Sequence, residues 1–199
     1  MTGKLPPYAV RAGGRVLPKP IAGHPALELC NTLAGWDDPP DARHEWLRDH
    51  EHLAVWVEFT GLLPHCPRTA GTEVLAEVRE LRAVAYRLLR HRDAAALPAF
   101  AAWADEANAH RRLVGEPGGG ARFRLPTGDD PRLPVHASAL AVADLLADPA
   151  LATVRACPGD GCGWLFLDPR GRRVWCSMAA CGNRSKVRAH AARRQTSGG

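Results

Sequence analysis

Six cysteines occur in this chain of 199 residues, and four of them dominate its reading. Cys157, Cys162, Cys176 and Cys181 form two C-x4-C pairs separated by thirteen residues. Thiolates gathered in two close pairs are what a tetrahedral Zn²⁺ ion needs, each pair wrapping one edge of the ion. In a reducing compartment disulfides do not persist, so ligation explains the pattern better than cross-linking. Between the first two cysteines lie Pro158, Gly159, Asp160 and Gly161, which let the backbone turn sharply enough to point amides at sulfur. The expected cofactor is Zn²⁺ on all four thiolates; iron is the alternative, and four thiolates in this arrangement favour zinc.

The surroundings of the cysteines suggest a small finger. Residues 163 to 175 are rich in aromatic and aliphatic side chains on either side of Asp168, Pro169, Arg170 and Gly171, which predicts a β-hairpin between the two pairs. Beyond Cys181, alanines and long basic side chains predict a helix reaching Arg194. Knuckle, hairpin and helix make a treble-clef-like unit over residues 149–199. So small a unit has little core, and structural zinc supplies folding free energy on the order of 10 kcal/mol. Trp164 and Trp175 read first as its miniature core, with stacking on unpaired bases as the alternative.

Charge is divided unevenly. Residues 151–199 hold nine Arg or Lys against Asp160 and Asp168, a net of +7; the whole chain is +5, so the first 150 residues net −2. The carboxy-terminal piece is therefore the part attracted to phosphate, unless its charge serves only solubility. At about 100° per residue, Lys186, His190, Arg193 and Arg194 share one broad helix face, and Arg184 and Arg188 lie on another. The first face is the better phosphate candidate. Arg184 sits close to Cys181 and reads as holding the knuckle together, by pairing with Asp168 or backbone carbonyls, or else as a nucleic-acid contact. Arg170, Arg172 and Arg173 on the hairpin either grip a second phosphate row or are ordinary turn residues.

The first 148 residues read as a separate, mainly helical domain with a minor β-hairpin. Val74, Val78, Leu81, Ala85 and Leu88 recur at helical spacing behind Thr72, a plausible amino-terminal cap. Further helices are expected over about 46–63, carrying Leu53, Trp56, Val57 and Phe59, and over about 94–113, carrying Leu97, Phe100, Ala101, Ala104 and Ala107. A loop at 115–120, a short strand at 122–125 and a helix over about 135–147 follow. The short turns imply antiparallel packing.

Several strings in this chain resemble one family. Trp175, Cys176, Ser177 and Met178, then Cys181, Gly182, Asn183, Arg184 and Lys186, preceded by the stretch from Cys162 to Asp168, look like the CGNR zinc-finger family, whose members pair this finger with an amino-terminal, mostly helical ABATE domain. The apolar run from Ala26 to Leu33, ending around Asn31 and Thr32, is similar to that domain's opening segment. Cys30 stands there in place of an aliphatic residue, a conservative exchange for a buried site. The resemblance implies a stress-induced transcriptional regulator.

The expectation is thus a zinc-binding, DNA-binding regulator with an amino-terminal sensory or dimerisation domain. One finger has a small footprint, so a homodimer is expected to supply specificity on duplex DNA. The alternative is a zinc-folded protein-interaction module; RNA is a third option. Asn31 and Thr32 stand either at the mouth of a pocket for a small-molecule effector or in local bonds at a helix end. An enzyme is not expected: His24, Asn31, Thr32, Trp36, His44, His50, His52 and Cys66 show no hydrolase, P-loop or metalloprotease spacing, and Cys66 lacks the cationic surroundings of a reactive thiol. No apolar stretch approaches a membrane span or a signal peptide, which points to a cytoplasmic protein without a membrane partner.

Overall fold

The computed structural model describes residues 5–68 and 71–196, the last two as backbone alone; residues 1–4 and 197–199, the extremes of the two expected domains, lie outside it. Strands β1 (Ala9–Ala12) and β2 (Arg15–Pro18) pair around Gly13 and Gly14, both at positive φ, the two-residue turn that matches strand twist. His24 caps α1 (Pro25–Cys30), its Nδ1 accepting the Ala26 amide at 3.2 Å. Every residue from Ala26 to Thr32 is buried. A two-residue ladder, β3 (Leu33–Ala34) with β4 (His44–Glu45), leads to α2 (His50–Phe59), capped by Asp49.

The long helix α3 (Thr72–His91) buries Val74, Val78, Leu81, Ala85 and Leu88, the stripe the sequence spacing predicts. Its cap is Gly71 rather than Thr72, and no side chain bonds there. A 3₁₀ turn (Ala94–Ala96) and α4 (Leu97–His110) replace the single helix expected over 94–113. Pro98 at the start of α4 restarts the helix, and Leu97 lies exposed. Helix α2 is likewise shorter than 46–63: Trp46 and Leu47 precede its cap, and Phe59 at its end is exposed. An exposed hairpin, β5 (Arg112–Gly115) with β6 (Ala121–Arg124), connects to α5 (Leu133–Ala147). Helices α1 to α5 all contribute to the core, and α5 is buried almost around its circumference along its first half. Arg82 is buried within that core, bonded to Glu45 and to Thr32.

Asp148 caps a 3₁₀ turn (Pro149–Thr153), and β7 (Val154–Ala156) pairs antiparallel with β8 (Leu165–Leu167). This corrects the expected hairpin between the cysteine pairs. The hairpin is formed across the first pair, with the knuckle from Cys157 to Cys162 as its connection. The anticipated second strand near 172–175 does not form, because the Asp168 carboxylate takes the amides of Arg172 and Arg173, at 2.9 and 3.2 Å, that a ladder would need. Last come a π-helical turn (Met178–Gly182) and α6 (Asn183–Thr196). The chain is mainly α, with six α-helices among the described residues.

Val154 and Leu165, from the two strands of the finger, belong to the same apolar core as the helices. A strip after α1 runs alongside the first knuckle. Asn31 bonds Leu165 through both groups of its amide, the Trp164 indole donates to Leu33 O at 2.9 Å, and the amides of Trp36 and Asp37 donate to Cys162 O and Gly161 O. From α3, the Tyr86 hydroxyl donates to Gly163 O at 2.7 Å while its ring stacks on Trp36. A side chain at Gly163, whose φ is +61°, would strike Arg90, Trp36 and Tyr86 together.

Candidate metal centre and basic face

Strand pairing sets the first two thiols. The Cys157 amide closes the β7–β8 connection by donating to Trp164 O at 2.8 Å, and the Cys162 amide turns back on Gly159 O at 2.8 Å. Cys176 follows the Asp168 turn, and the π-helical turn delivers Cys181 just before α6. All four sulfurs lie within 4.8 Å of one another; Cys162 to Cys176 is 3.8 Å and Cys176 to Cys181 is 3.6 Å. A tetrahedral ion with metal–sulfur bonds of about 2.3 Å sets its sulfurs about 3.8 Å apart, so the residues present fit Zn²⁺.

Thiols packed this closely cannot ionise independently. Hydrogen bonds from Cys157, Cys162 and Cys176, with a further one from Arg184, hold Cys181 far below the ordinary thiol range. Cys162 and Cys176 are pushed up, chiefly by their hydrogen bonding to Cys157. A dication removes that conflict by stabilising all four thiolates at once.

Each residue of the stretch from Cys181 to Arg184 has a visible task. Cys181 supplies a sulfur. A Cβ on Gly182 would press on the Met178 sulfur and the Trp175 ring. Asn183 reaches back to Ala179 O at 3.5 Å, and Arg184 Nη2 donates to Cys181 Sγ at 3.0 Å. Arg184 therefore braces the cluster through sulfur itself, not through Asp168 or a carbonyl. Gly159, read from the sequence only as a turn residue, is also constrained by the sulfurs: a Cβ there would sit 3.0 Å from Cys181 Sγ and 3.4 Å from Cys157 Sγ.

The other basic residues divide. Lys186, His190, Arg193 and Arg194 stand exposed along α6, whose described side chains include no carboxylate. Arg170 and Arg172 are exposed at the Asp168 turn. Arg188 pairs with Asp160 of the first knuckle at 2.6 Å, on the surface, where such a pair is worth little. Arg173, also exposed, is tied down: its guanidinium donates to Cys176 O at 2.7 Å and Ile21 O at 3.1 Å and lies over the Phe166 ring.

Asn31 and Thr32 do not open onto a pocket. Both are fully buried, Asn31 on β8 and Thr32 bonding Leu29 O and Arg82. A cleft of about 500 Å³ lies elsewhere, between the β1–β2 hairpin and the finger, lined by Tyr8, His44, Trp46, Cys162, Trp164 and Arg184 among others. Cys66 is buried, and burial, with Glu58 nearby, pushes its thiol up to about 11, away from reactivity. His50 bonds Pro67 O, and His52 lies against Asp49 and Arg48, so the two face separate partners.

A family model described as "CGNR zinc finger" matches residues 153–194, and the ABATE model, described as "Putative stress-induced transcription regulator", matches residues 23–149. The chain belongs to the ABATE family. No curated protein matches it. In this ABATE protein the four-cysteine cluster falls wholly inside the finger match, and the strip that receives the finger, residues 31–37, falls inside the ABATE match. Among the described residues no helix is long and apolar enough to cross a membrane.

Proposed function

We propose that the protein is a zinc-dependent, non-catalytic regulator of transcription that binds duplex DNA through α6. The observation that carries this reading is the exposed cationic face of Lys186, His190, Arg193 and Arg194, on a helix that starts beside the metal thiols. Zinc folds the finger, and the finger's docking on the helical domain aims that face. Lysine and arginine along one helix neutralise phosphates and release counterions; Arg170 and Arg172 extend the field. The cytoplasm is the setting such a role requires. The cleft between Tyr8, Trp46 and Arg184 is the place from which a small effector would touch both parts at once.

The test is a titration of zinc-loaded protein against duplex DNA at two salt concentrations, with Lys186→Ala/Arg194→Ala beside the wild type. Binding that weakens steeply with salt, with a slope lower by about 2 in the variant, supports this reading. Absence of binding at low salt ends it. Exposed Val174, Met178 and Val187 on the finger favour a second reading, a zinc-folded surface for another protein. That reading is selected if DNA binding is absent and a Val187→Asp variant loses a co-purifying partner.

A further inference from the structure

A second group of metal-type ligands lies in the helical domain, on residues the finger does not use. His110 is the last residue of α4, Asp130 lies in the loop before α5, and His136 is in the first turn of α5. Each offers one ligand atom, and these atoms all lie within 4.8 Å of one another. The two imidazoles stack, with centroids 4.3 Å apart.

Hydrogen bonding prepares each group. His110 Nδ1 lies 2.9 Å from Glu106 O; a carbonyl only accepts, so Nδ1 donates to it and Nε2 is the nitrogen left for a further ligand. His136 is 1% exposed, and its Nε2 is buried without a hydrogen-bond partner. Asp130 Oδ1 accepts the Arg132 amide at 2.9 Å, fixing the carboxylate and leaving its other oxygen available. Arg132, two residues from Asp130, is bonded to Glu77 at 2.9 Å and Glu106 at 2.8 Å. With Asp130, three carboxylates outnumber that guanidinium, an environment that favours a dication.

We propose that His110, Asp130 and His136 form a second metal site, for Zn²⁺ or a neighbouring first-row dication. Two imidazoles and one carboxylate suit such ions, whereas Ca²⁺ and Mg²⁺ favour all-oxygen shells. Three protein ligands leave a coordination position for water, so this site is open where the thiolate site is closed. An open site of this kind exchanges its ion more readily than four thiolates do.

The experiment is an anaerobic Co²⁺ titration of the full chain, followed by visible absorption and calorimetry. Thiolate-to-cobalt bands report the first equivalent, and a weaker, thiolate-free spectrum reports the second. The expected result is two equivalents for wild type and one for His110→Ala and for Asp130→Asn, with thiolate bands unchanged. His110 is only partly buried at a helix end, and Asp130→Asn keeps an acceptor for the Arg132 amide, so the intact thiolate bands also report folding. A single equivalent for wild type in excess Co²⁺ would overturn the proposal, as would a second equivalent that survives in both variants.

Discussion

The side-chain amide of Asn31 treats Leu165 as a neighbouring strand would. Its Nδ2 donates to Leu165 O at 2.9 Å and its Oδ1 accepts the Leu165 amide at 2.8 Å, with Asn31 0% exposed. One residue at the end of α1 thus satisfies both backbone groups of Leu165 on the edge of β8. Asn31→Ala leaves a buried donor and a buried acceptor unpaired and is expected to destabilise the protein by roughly 3 kcal/mol. Urea denaturation of zinc-loaded protein measures this; a loss under about 1 kcal/mol would mean that water replaces the amide.

Arg184→Met removes the donor on Cys181 Sγ while keeping much of the side chain's bulk. Zinc affinity should fall by about 10- to 100-fold, the usual effect of losing a group that supports a ligand. Competition with a chromophoric chelator reads the change, and Arg184→Lys should recover part of it. Gly159→Ala, which crowds two sulfurs, should lower affinity in the same assay. Unchanged affinity in both variants would show that the cluster needs neither support.

Chelation should unfold the finger while leaving most helical signal in place. Trp164 and Phe166 pack with the cysteines, and Trp175 packs against them. Their near-ultraviolet dichroism should collapse on metal removal, while far-ultraviolet intensity falls modestly, because α3, α4 and α5 lie outside the finger. Simultaneous loss of both signals would instead show that the whole chain unfolds as one unit.

Glu28 gives a pH signature. Burial pushes its carboxyl up to about 7, against the amides of Ala22 and Gly23 that bond its Oε1. Between its ordinary 4.5 and about 7 the folded state holds a proton that the unfolded chain releases. Its contribution to stability is therefore present below the lower value and lost as pH rises through the upper one. Glu28→Gln keeps the acceptor and removes the titration, so its advantage over wild type should grow by on the order of 3 kcal/mol between about pH 5 and pH 8. Denaturation curves with parallel pH dependence would refute this.

What the sequence makes legible here is local. The cysteine spacing, the α3 stripe and the basic run after Cys181 each lie within one element or loop, where period and spacing carry the information. The finger's hairpin escapes such a reading because its apolar segment has two candidate partners, and the Asp168 carboxylate removes one by taking two amides. Asn31 with Leu165, Tyr86 with Gly163, and His110 with His136 are tertiary pairings between elements, and no periodicity announces them. The nearness of Arg184 to the knuckle follows from its position after Cys181, but its partner, a sulfur, depends on how the π-helical turn winds.

The seam between residues 31–37 and the first knuckle also orders events in time. Leu33 and Trp164 are separated by 131 residues, so during synthesis the helical part must wait, with the strip after α1 uncovered, until the knuckle has left the ribosome. A four-thiolate site would be complete later still, once Cys176 and Cys181 have followed the knuckle. The polypeptide thus reaches its finished form from the carboxy-terminal side, and a nascent chain halted before Gly161 would present an open edge rather than a smaller, complete domain.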